Sequence, residues 1–102
     1  MDKLALSAAE LALVKRILKE HVAPGTKVLA FGSRVRGTWR ASSDLDLALV
    51  TKCPLDISTR SKLEFGFSES DLPFRVDVVD MSTVEPAFAA VIEREGVVVP
   101  ID

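Results

Sequence analysis

"LAFGSRVRGTWRASSDLDLALV" (residues 29–50) places an aspartate pair in what otherwise reads as a buried strand. The pair, Asp44 and Asp46, follows the step Gly32-Ser33 after ten intervening residues. Leucines alternate with the aspartates, and this pattern predicts a β-strand that carries both carboxylates on one face. Taken alone, the pair also fits the solvated face of an edge strand, so its meaning depends on the rest of the chain.

Length and composition restrict the class of protein. The 102 residues fit one domain, spanning 1–102, with a single core. A net charge of −2 provides no field that attracts nucleic acid, so we expect no direct nucleic-acid binding. One cysteine excludes an internal disulfide, the first ten residues lack signal-peptide features, and no apolar run reaches membrane-spanning length. The expected location is therefore cytoplasmic, without membrane contact.

Hydrophobic periodicity predicts a mixture of helices and strands. Capping-box spacings at Ser7/Glu10 and Ser82/Glu85 indicate two helix starts, and Gly96 indicates a helix end. This mixture predicts an α/β (α+β) fold whose last strand lies at a sheet edge, because a proline closes it. The predicted helices span 7–22, 58–70 and 82–95, and the predicted strands span 27–31, 44–50, 74–80 and 97–100.

A third aspartate extends the carboxylate pair. In "FRVDVVD" (residues 74–80), Asp77 lies on the opposite strand face from the apolar side chains, so it can sit beside Asp44 and Asp46 in a sheet. Strand residues two positions apart are separated by roughly 6.6 Å, which suits carboxylates that flank two metal ions about 3.5–4 Å apart. An all-oxygen site suits Mg²⁺ or Mn²⁺, and two such ions serve phosphoryl transfer. We therefore predict Asp44, Asp46 and Asp77 as catalytic and metal-binding residues.

The Gly32-Ser33 step supplies donors for a phosphate. A glycine at a strand end lets the backbone approach a phosphate, and N–H groups with the Ser33 hydroxyl can donate to it. Arg34 and Arg36 add positive charge beside this step. A Gly-Ser turn alone is common, but the step, the aspartate pair and the third aspartate on consecutive elements together favour a nucleotide site. We predict Gly32, Ser33 and Arg34 as nucleotide-binding residues.

Residues 31–50 and "RVDVVD" (residues 75–80) resemble the signature of the DNA polymerase beta-like nucleotidyltransferase superfamily. In size and order of elements, the whole chain is similar to the minimal nucleotidyltransferases, the MntA-type antitoxins. This resemblance implies a mixed β-sheet with helices packed mainly on one face, which leaves the carboxylate face open to nucleotide and acceptor. It assigns phosphate binding to Gly32 and Ser33, metal binding to Asp44 and Asp46, and activation of the acceptor hydroxyl to Asp77.

The resemblance also implies a biological role. Minimal nucleotidyltransferases commonly pair with a small helical toxin of the HEPN type, and the MntA-type antitoxin transfers AMP from ATP to a tyrosine of that toxin. The leading hypothesis is an ATP- and Mg²⁺-dependent protein adenylyltransferase that silences its partner within a hetero-oligomer. Two alternatives stay open: a catalytically inert binding module that neutralises its partner by complex formation, and a nucleotidyltransferase whose acceptor is an RNA or a small molecule.

Three further residues have structural interpretations. His21 falls in the last turn of the first predicted helix, where a positive ring suits the helix dipole. Asp80 lies on the opposite strand face from Asp77, which indicates a turn or capping acid. Trp39, the only tryptophan, has three possible roles: stacking on a nucleobase, anchoring a partner, or covering the underside of its loop.

Overall fold

The computed structural model describes residues 4–101 and contains a four-stranded sheet with helices on both faces. The helices are α1 (Ala8–His21), α2 (Ser33–Arg36), α3 (Ile57–Ser68) and α4 (Pro86–Glu95). The strands are β1 (Lys27–Phe31), β2 (Leu45–Val50), β3 (Val76–Asp80) and β4 (Val97–Val98). All predicted helices and strands are present; β1 has the predicted ends, and the other elements begin or end at shifted residues. Within residues 4–101, no helix combines the length and the apolar composition that crossing a bilayer requires.

The sheet is mixed, with strand order β3-β2-β1-β4. β1 is antiparallel to β2 and to β4, whereas β2 and β3 are parallel and are connected through α3. The short β4 lies at the edge, as the closing proline predicted. The register pairs Phe31 with Asp46, and Asp46 with Asp77. The end of β1 and the beginnings of β2 and β3 therefore meet at one edge of the sheet.

α1 begins at a capping box, as the sequence predicted. The Ser7 hydroxyl accepts from the N–H of Glu10 at 3.0 Å, and the Glu10 carboxylate accepts from the N–H of Ser7 at 2.9 Å. These bonds satisfy N–H groups that would otherwise lack partners at the start of the helix. The predicted apolar face of α1 packs on the sheet, where Val14 and Leu18 are fully buried, and His21 lies in the last turn.

The main core fills the space between the sheet and the two helices α1 and α3. Alternate residues of each strand face this space, and removing their apolar surface from water is the dominant favourable contribution to folding. The buried members of the main core are Val14, Ile17, Leu18, Val28, Ala30, Leu45, Leu47, Leu49, Leu63, Phe67, Phe74, Val78 and Val99.

A smaller cluster on the opposite sheet face holds α4. Ile92 of α4 packs there against Leu29 and Phe31 of β1 and Ala48 of β2. The expectation that helices pack mainly on one face is confirmed for α1 and α3. α4 departs from it, because it covers the β1 side of the face that carries the aspartates.

The predicted start of the last helix at Ser82, with a capping box to Glu85, is wrong. The Ser82 N–H and hydroxyl both donate to the Asp80 carboxylate, at 2.9 and 2.8 Å, which holds Ser82 in a turn at the end of β3. α4 begins only at Pro86, whose fixed φ suits the first helical position. Asp80 is thus the turn acid that the sequence predicted.

Candidate active site

Three aspartates meet at the edge where β1 ends and β2 and β3 begin; they form the carboxylate cluster Asp44, Asp46 and Asp77. Asp46 is the second residue of β2 and pairs directly with Asp77 of β3. Asp44 immediately precedes β2. The leucines on either side of Asp46 face the main core, so its carboxylate projects from the opposite face. The strand parity predicted from the sequence is confirmed.

The carboxylates of the cluster interact electrostatically. Burial raises the pKa of Asp46, and the charges of Asp77 and Asp44 raise it further, while Arg36 acts in the opposite direction. The two neighbouring negative charges thus disfavour the ionised form of Asp46 at this edge of the sheet. A carboxylate whose pKa is raised in this way is typical of functional sites. A cation placed among the three carboxylates would relieve the repulsion.

The donor set of the cluster fits a hard divalent cation, although the side chains are not closed around one point. Carboxylate oxygens are the ligands that Mg²⁺ and Mn²⁺ prefer. In the part of the chain from 4 to 101, no three Asp, Glu, His or Cys side chains converge tightly enough to form a ready-made metal group. Oδ1 of Asp77 instead contacts the Arg75 guanidinium at 3.5 Å. Because Arg75 is largely exposed, this pair is weak and Asp77 can exchange it for a cation.

Gly32 closes one side of the carboxylate cluster. Its φ of 86° and ψ of −157° lie in a region that is essentially reserved for glycine. A Cβ built on Gly32 would overlap Oδ2 of Asp46. Gly32 therefore meets two requirements at once, since it turns the chain out of β1 and leaves room for the Asp46 carboxylate.

The short helix α2 follows directly, with Ser33 as its first residue. The N–H groups of Val35 and Arg36 both donate to the Gly32 carbonyl at 3.0 Å, and Gly37 ends the helix in a left-handed conformation. Because the first N–H groups of a helix have no acceptor within it, the Ser33 N–H and hydroxyl are donors next to the cluster. The structure thus brings Gly32 to Asp46, with Ser33 directly following it in the chain.

Arg34 is buried and does not face the open site. Its side chain is only 3% exposed. The Phe74 ring lies 4.0 Å and the Trp39 ring 5.3 Å from the guanidinium carbon. The predicted nucleotide contact of Arg34 is not supported, because all three guanidinium nitrogens donate to main-chain carbonyls inside the protein. These acceptors belong to Ala5 at 2.8 Å, Ser43 at 3.0 Å, Ala41 at 3.1 Å and Arg40 at 3.4 Å.

Trp39 shields that buried guanidinium. Its side chain remains 46% exposed while one face covers Arg34. The structure thus shows one contact of the ring, with Arg34, and leaves the rest of the ring open to a base or a partner.

A second positive side chain next to the cluster, besides Arg75, is Arg36, which sequence reasoning passed over in favour of Arg34. Arg36 is about half exposed, lowers the pKa of Asp46, and contacts Glu95 of α4 at 3.6 Å. The two arginines are two positions apart on a short helix, so they point in different directions. Nothing in their spacing tells which one turns inward, because the loop carbonyls and the ring of Phe74 that receive Arg34 are provided by tertiary contacts.

An aromatic pair borders the cluster on the β1 side. The rings of Phe31 and Phe88 meet edge to face, with centroids 5.7 Å apart and planes at 80°. Phe31 is the register partner of Asp46, and Phe88 of α4 is 42% exposed. Sequence reasoning missed this pair because it depends on how α4 packs across β1. The pair gives the site an apolar wall.

Comparison with known proteins places the chain in a family. The family model described as "Polymerase beta, Nucleotidyltransferase" matches residues 13–100. A relative from Haemophilus influenzae, "Probable protein adenylyltransferase MntA", is 46% identical over 97 residues, which are 95% of this chain and 84% of that protein.

Solved structures share the fold. A chain in a crystal structure of a toxin–antitoxin with AMP-PNP matches with a TM-score of 0.75 at 23% identity, over 88% of this chain and 72% of that chain. A chain in the structure of tri-AMPylated Shewanella oneidensis HEPN toxin in complex with MNT antitoxin matches with a TM-score of 0.64 at 22% identity, over 88% and 71%. With its strand register, its carboxylate cluster and the extent of the family match, this chain belongs to the polymerase beta nucleotidyltransferase family.

Proposed function

We propose that this nucleotidyltransferase transfers AMP from ATP to a tyrosine hydroxyl of a helical HEPN-type toxin and thereby acts as its antitoxin. The observation that carries the proposal is the register of β2 and β3, which sets Asp46 beside Asp77 and leaves Asp46 against Gly32. The 46% identity to a probable protein adenylyltransferase supports the same reaction. The AMP-PNP of one structural neighbour supports ATP as the nucleotide, and the tri-AMPylated HEPN toxin of another supports the acceptor.

The proposed reaction forms one bond and breaks another. The tyrosine oxygen attacks the α-phosphorus of ATP, the bond between that phosphorus and the bridging oxygen to the β-phosphate breaks, and pyrophosphate leaves. Asp77 accepts the proton that the hydroxyl loses. Asp44 and Asp46, with Asp77, would hold two Mg²⁺ or Mn²⁺ ions, which would lower the pKa of the acceptor hydroxyl and neutralise the triphosphate.

The beginning of α2 is the proposed phosphate contact. Ser33 offers its N–H and hydroxyl there, and Gly32 permits the close approach. Arg36 adds a half-exposed positive charge on the same side as Asp46 and takes the role first given to Arg34. These groups bind the triphosphate and orient its α-phosphorus toward the carboxylate cluster.

We further propose that residues 1–102 act as one domain in a cytoplasmic hetero-oligomer with the toxin. The relative from Haemophilus influenzae is matched over 84% of its length, so the match covers most of that protein. The net charge of −2 favours a protein acceptor over RNA, because the protein supplies no excess of positive charge to attract phosphates.

The test is transfer of label from α-³²P-ATP in the presence of Mg²⁺ and the purified HEPN-type partner. We expect label in the partner, and we expect Asp46→Asn to reduce it to background. Asp71→Asn is the matched control, because Asp71 is an exposed aspartate outside the cluster. Transfer that survives in Asp46→Asn would contradict the assignment of the cluster. Toxin neutralisation by Asp46→Asn without any labelling would favour the inert binding module, and label in RNA or a small molecule would change the acceptor.

A further inference from the structure

We propose that Arg34 is a positioning residue that fixes the segment between α2 and β2, and through that segment the aspartate pair. The functional consequence rests on the proposed function, but the positioning itself does not. Arg34 reaches two parts of the chain at once, namely the segment before α1 and the α2–β2 loop, which includes the residue that precedes Asp44.

The loop that Arg34 binds is itself a closed turn. The N–H of Ser43 donates to the Arg40 carbonyl at 2.9 Å, and the Ser43 hydroxyl accepts from the N–H of Arg40 at 2.7 Å. The Arg34 guanidinium donates to carbonyls at both ends of this turn, at 3.4 Å to Arg40 and 3.0 Å to Ser43. The turn is therefore attached to α2 as a unit.

The segment before α1 is attached to the same residue. The Ala5 N–H donates to the Arg34 carbonyl at 2.9 Å, and the Arg34 guanidinium donates to the Ala5 carbonyl at 2.8 Å. Since these two bonds run in opposite directions between the same residues, the segment and α2 are held together by the main chain and the side chain of Arg34.

The environment of Arg34 suits an arginine better than a lysine. The buried positive charge is stabilised by carbonyl dipoles and by the rings of Phe74 and Trp39. A planar guanidinium with five donors can serve several carbonyls and stack on a ring at the same time, whereas a lysine ammonium has three donors on one nitrogen. Arg34→Lys keeps the charge and loses most of this network.

The consequence for the site is that α2 positions both members of the aspartate pair. Asp46 lies against Gly32, the residue that immediately precedes α2. Asp44 follows Ser43, whose carbonyl is bound by Arg34 in the same helix. Asp44 is thus attached to α2 through the residue that precedes it, and Asp46 lies next to the glycine that precedes the same helix. We infer that the attachment of Ser43 limits the movement of Asp44 relative to Asp46, so that both carboxylates can bind a divalent cation.

The experiment compares wild type, Arg34→Lys and Arg40→Lys. Arg40→Lys is the matched control, because Arg40 is exposed and contributes to the turn through main-chain groups that the substitution keeps. Loss of a group that orients metal ligands typically costs about 10–100-fold in metal affinity or activity. We expect Arg34→Lys to raise the Mn²⁺ Kd and to lower kcat by factors in that range, with an unchanged KM for ATP, and Arg40→Lys to match wild type. Acrylamide quenching of Trp39, the only tryptophan, should increase in Arg34→Lys as the ring loses its partner.

The opposite pattern would overturn the proposal. An Arg34→Lys variant with wild-type Mn²⁺ affinity and kcat but a raised KM for ATP would show that Arg34 contacts the nucleotide directly. If Arg34→Lys does not fold, Ser43→Ala tests the same attachment, because it removes the hydroxyl that closes the turn bound by Arg34. Wild-type Mn²⁺ affinity in Ser43→Ala would then overturn the proposal, and a weakened affinity would support it. The Mn²⁺ measurement needs no acceptor, so it tests the positioning role of Arg34 even if AMP transfer to a toxin is not the function.

Discussion

Replacing Gly32 with alanine is expected to damage stability and activity through two separate effects. The backbone of Gly32, at φ 86° and ψ −157°, is strained for any residue with a Cβ. The new Cβ would also overlap Oδ2 of Asp46. The strain lowers the free energy of unfolding of the whole protein, whereas the overlap displaces one carboxylate of the cluster.

The loss of stability and the loss of rate can both be estimated. A residue other than glycine in such a backbone region costs about 1–3 kcal/mol. For a domain of about 100 residues, each kcal/mol lowers Tm by roughly 4–8 °C. The Asp46 carboxylate has to move by about 1 Å to restore an ordinary contact. A displacement of that size at a reacting centre costs about 10²-fold in rate.

Gly25→Ala separates the two effects. Gly25 has φ 87°, close to that of Gly32, but an added Cβ there meets nothing within 4 Å. We expect both variants to lose Tm, measured by circular dichroism, and only Gly32→Ala to lose AMP transfer when rates are compared below the Tm of all three proteins. Equal transfer by Gly25→Ala and Gly32→Ala would refute the idea that Gly32 makes room for Asp46. An unchanged Tm in Gly32→Ala would refute the expectation that the backbone at Gly32 is strained for alanine.

Three more predictions concern stability. Burial and the neighbouring carboxylates raise the pKa of Asp46, so its ionised form destabilises the fold, and Asp46→Asn should raise the Tm of the metal-free protein at pH 7. This gain should vanish below about pH 3.9, the pKa of an aspartate in the unfolded chain, because the carboxyl is then protonated in both states. Asp80→Asn should cost about 2–3 kcal/mol in urea unfolding at pH 7, because hydrogen bonds to a buried carboxylate are lost. Burial alone would raise the pKa of Asp80, but bonds from Leu55 and Ser82 and the charge of Arg60 lower it, so its stabilisation is complete above about pH 3.9 and falls off as pH drops further. Ser7→Ala should lower the free energy of unfolding by about 1 kcal/mol, measured in the same way, since the capping box is lost.

Local patterns were sufficient for the order of elements and for the faces of the strands. The alternation around Asp46 and Asp77 predicted which side chains enter the main core, because successive strand residues point to opposite faces whatever the strand packs against. The capping box at Ser7 was also predictable, since both of its bonds join residues three positions apart. The capping box predicted at Ser82 did not form, because the Ser82 hydroxyl donates to the Asp80 carboxylate at the end of β3.

The sequence by itself determined the chemical groups of the site: a glycine and a serine at a strand end, followed by an aspartate pair and a third aspartate with matching parity. Only the tertiary structure decided which groups are adjacent. It set Asp46 beside Asp77 through the parallel pairing of β2 and β3, turned Arg34 into the protein, left Arg36 beside the cluster, and laid α4 across part of the carboxylate face. The physical reason is that periodicity is a property of neighbouring residues, whereas strand register and the burial of a charge depend on contacts between segments that are distant in the chain.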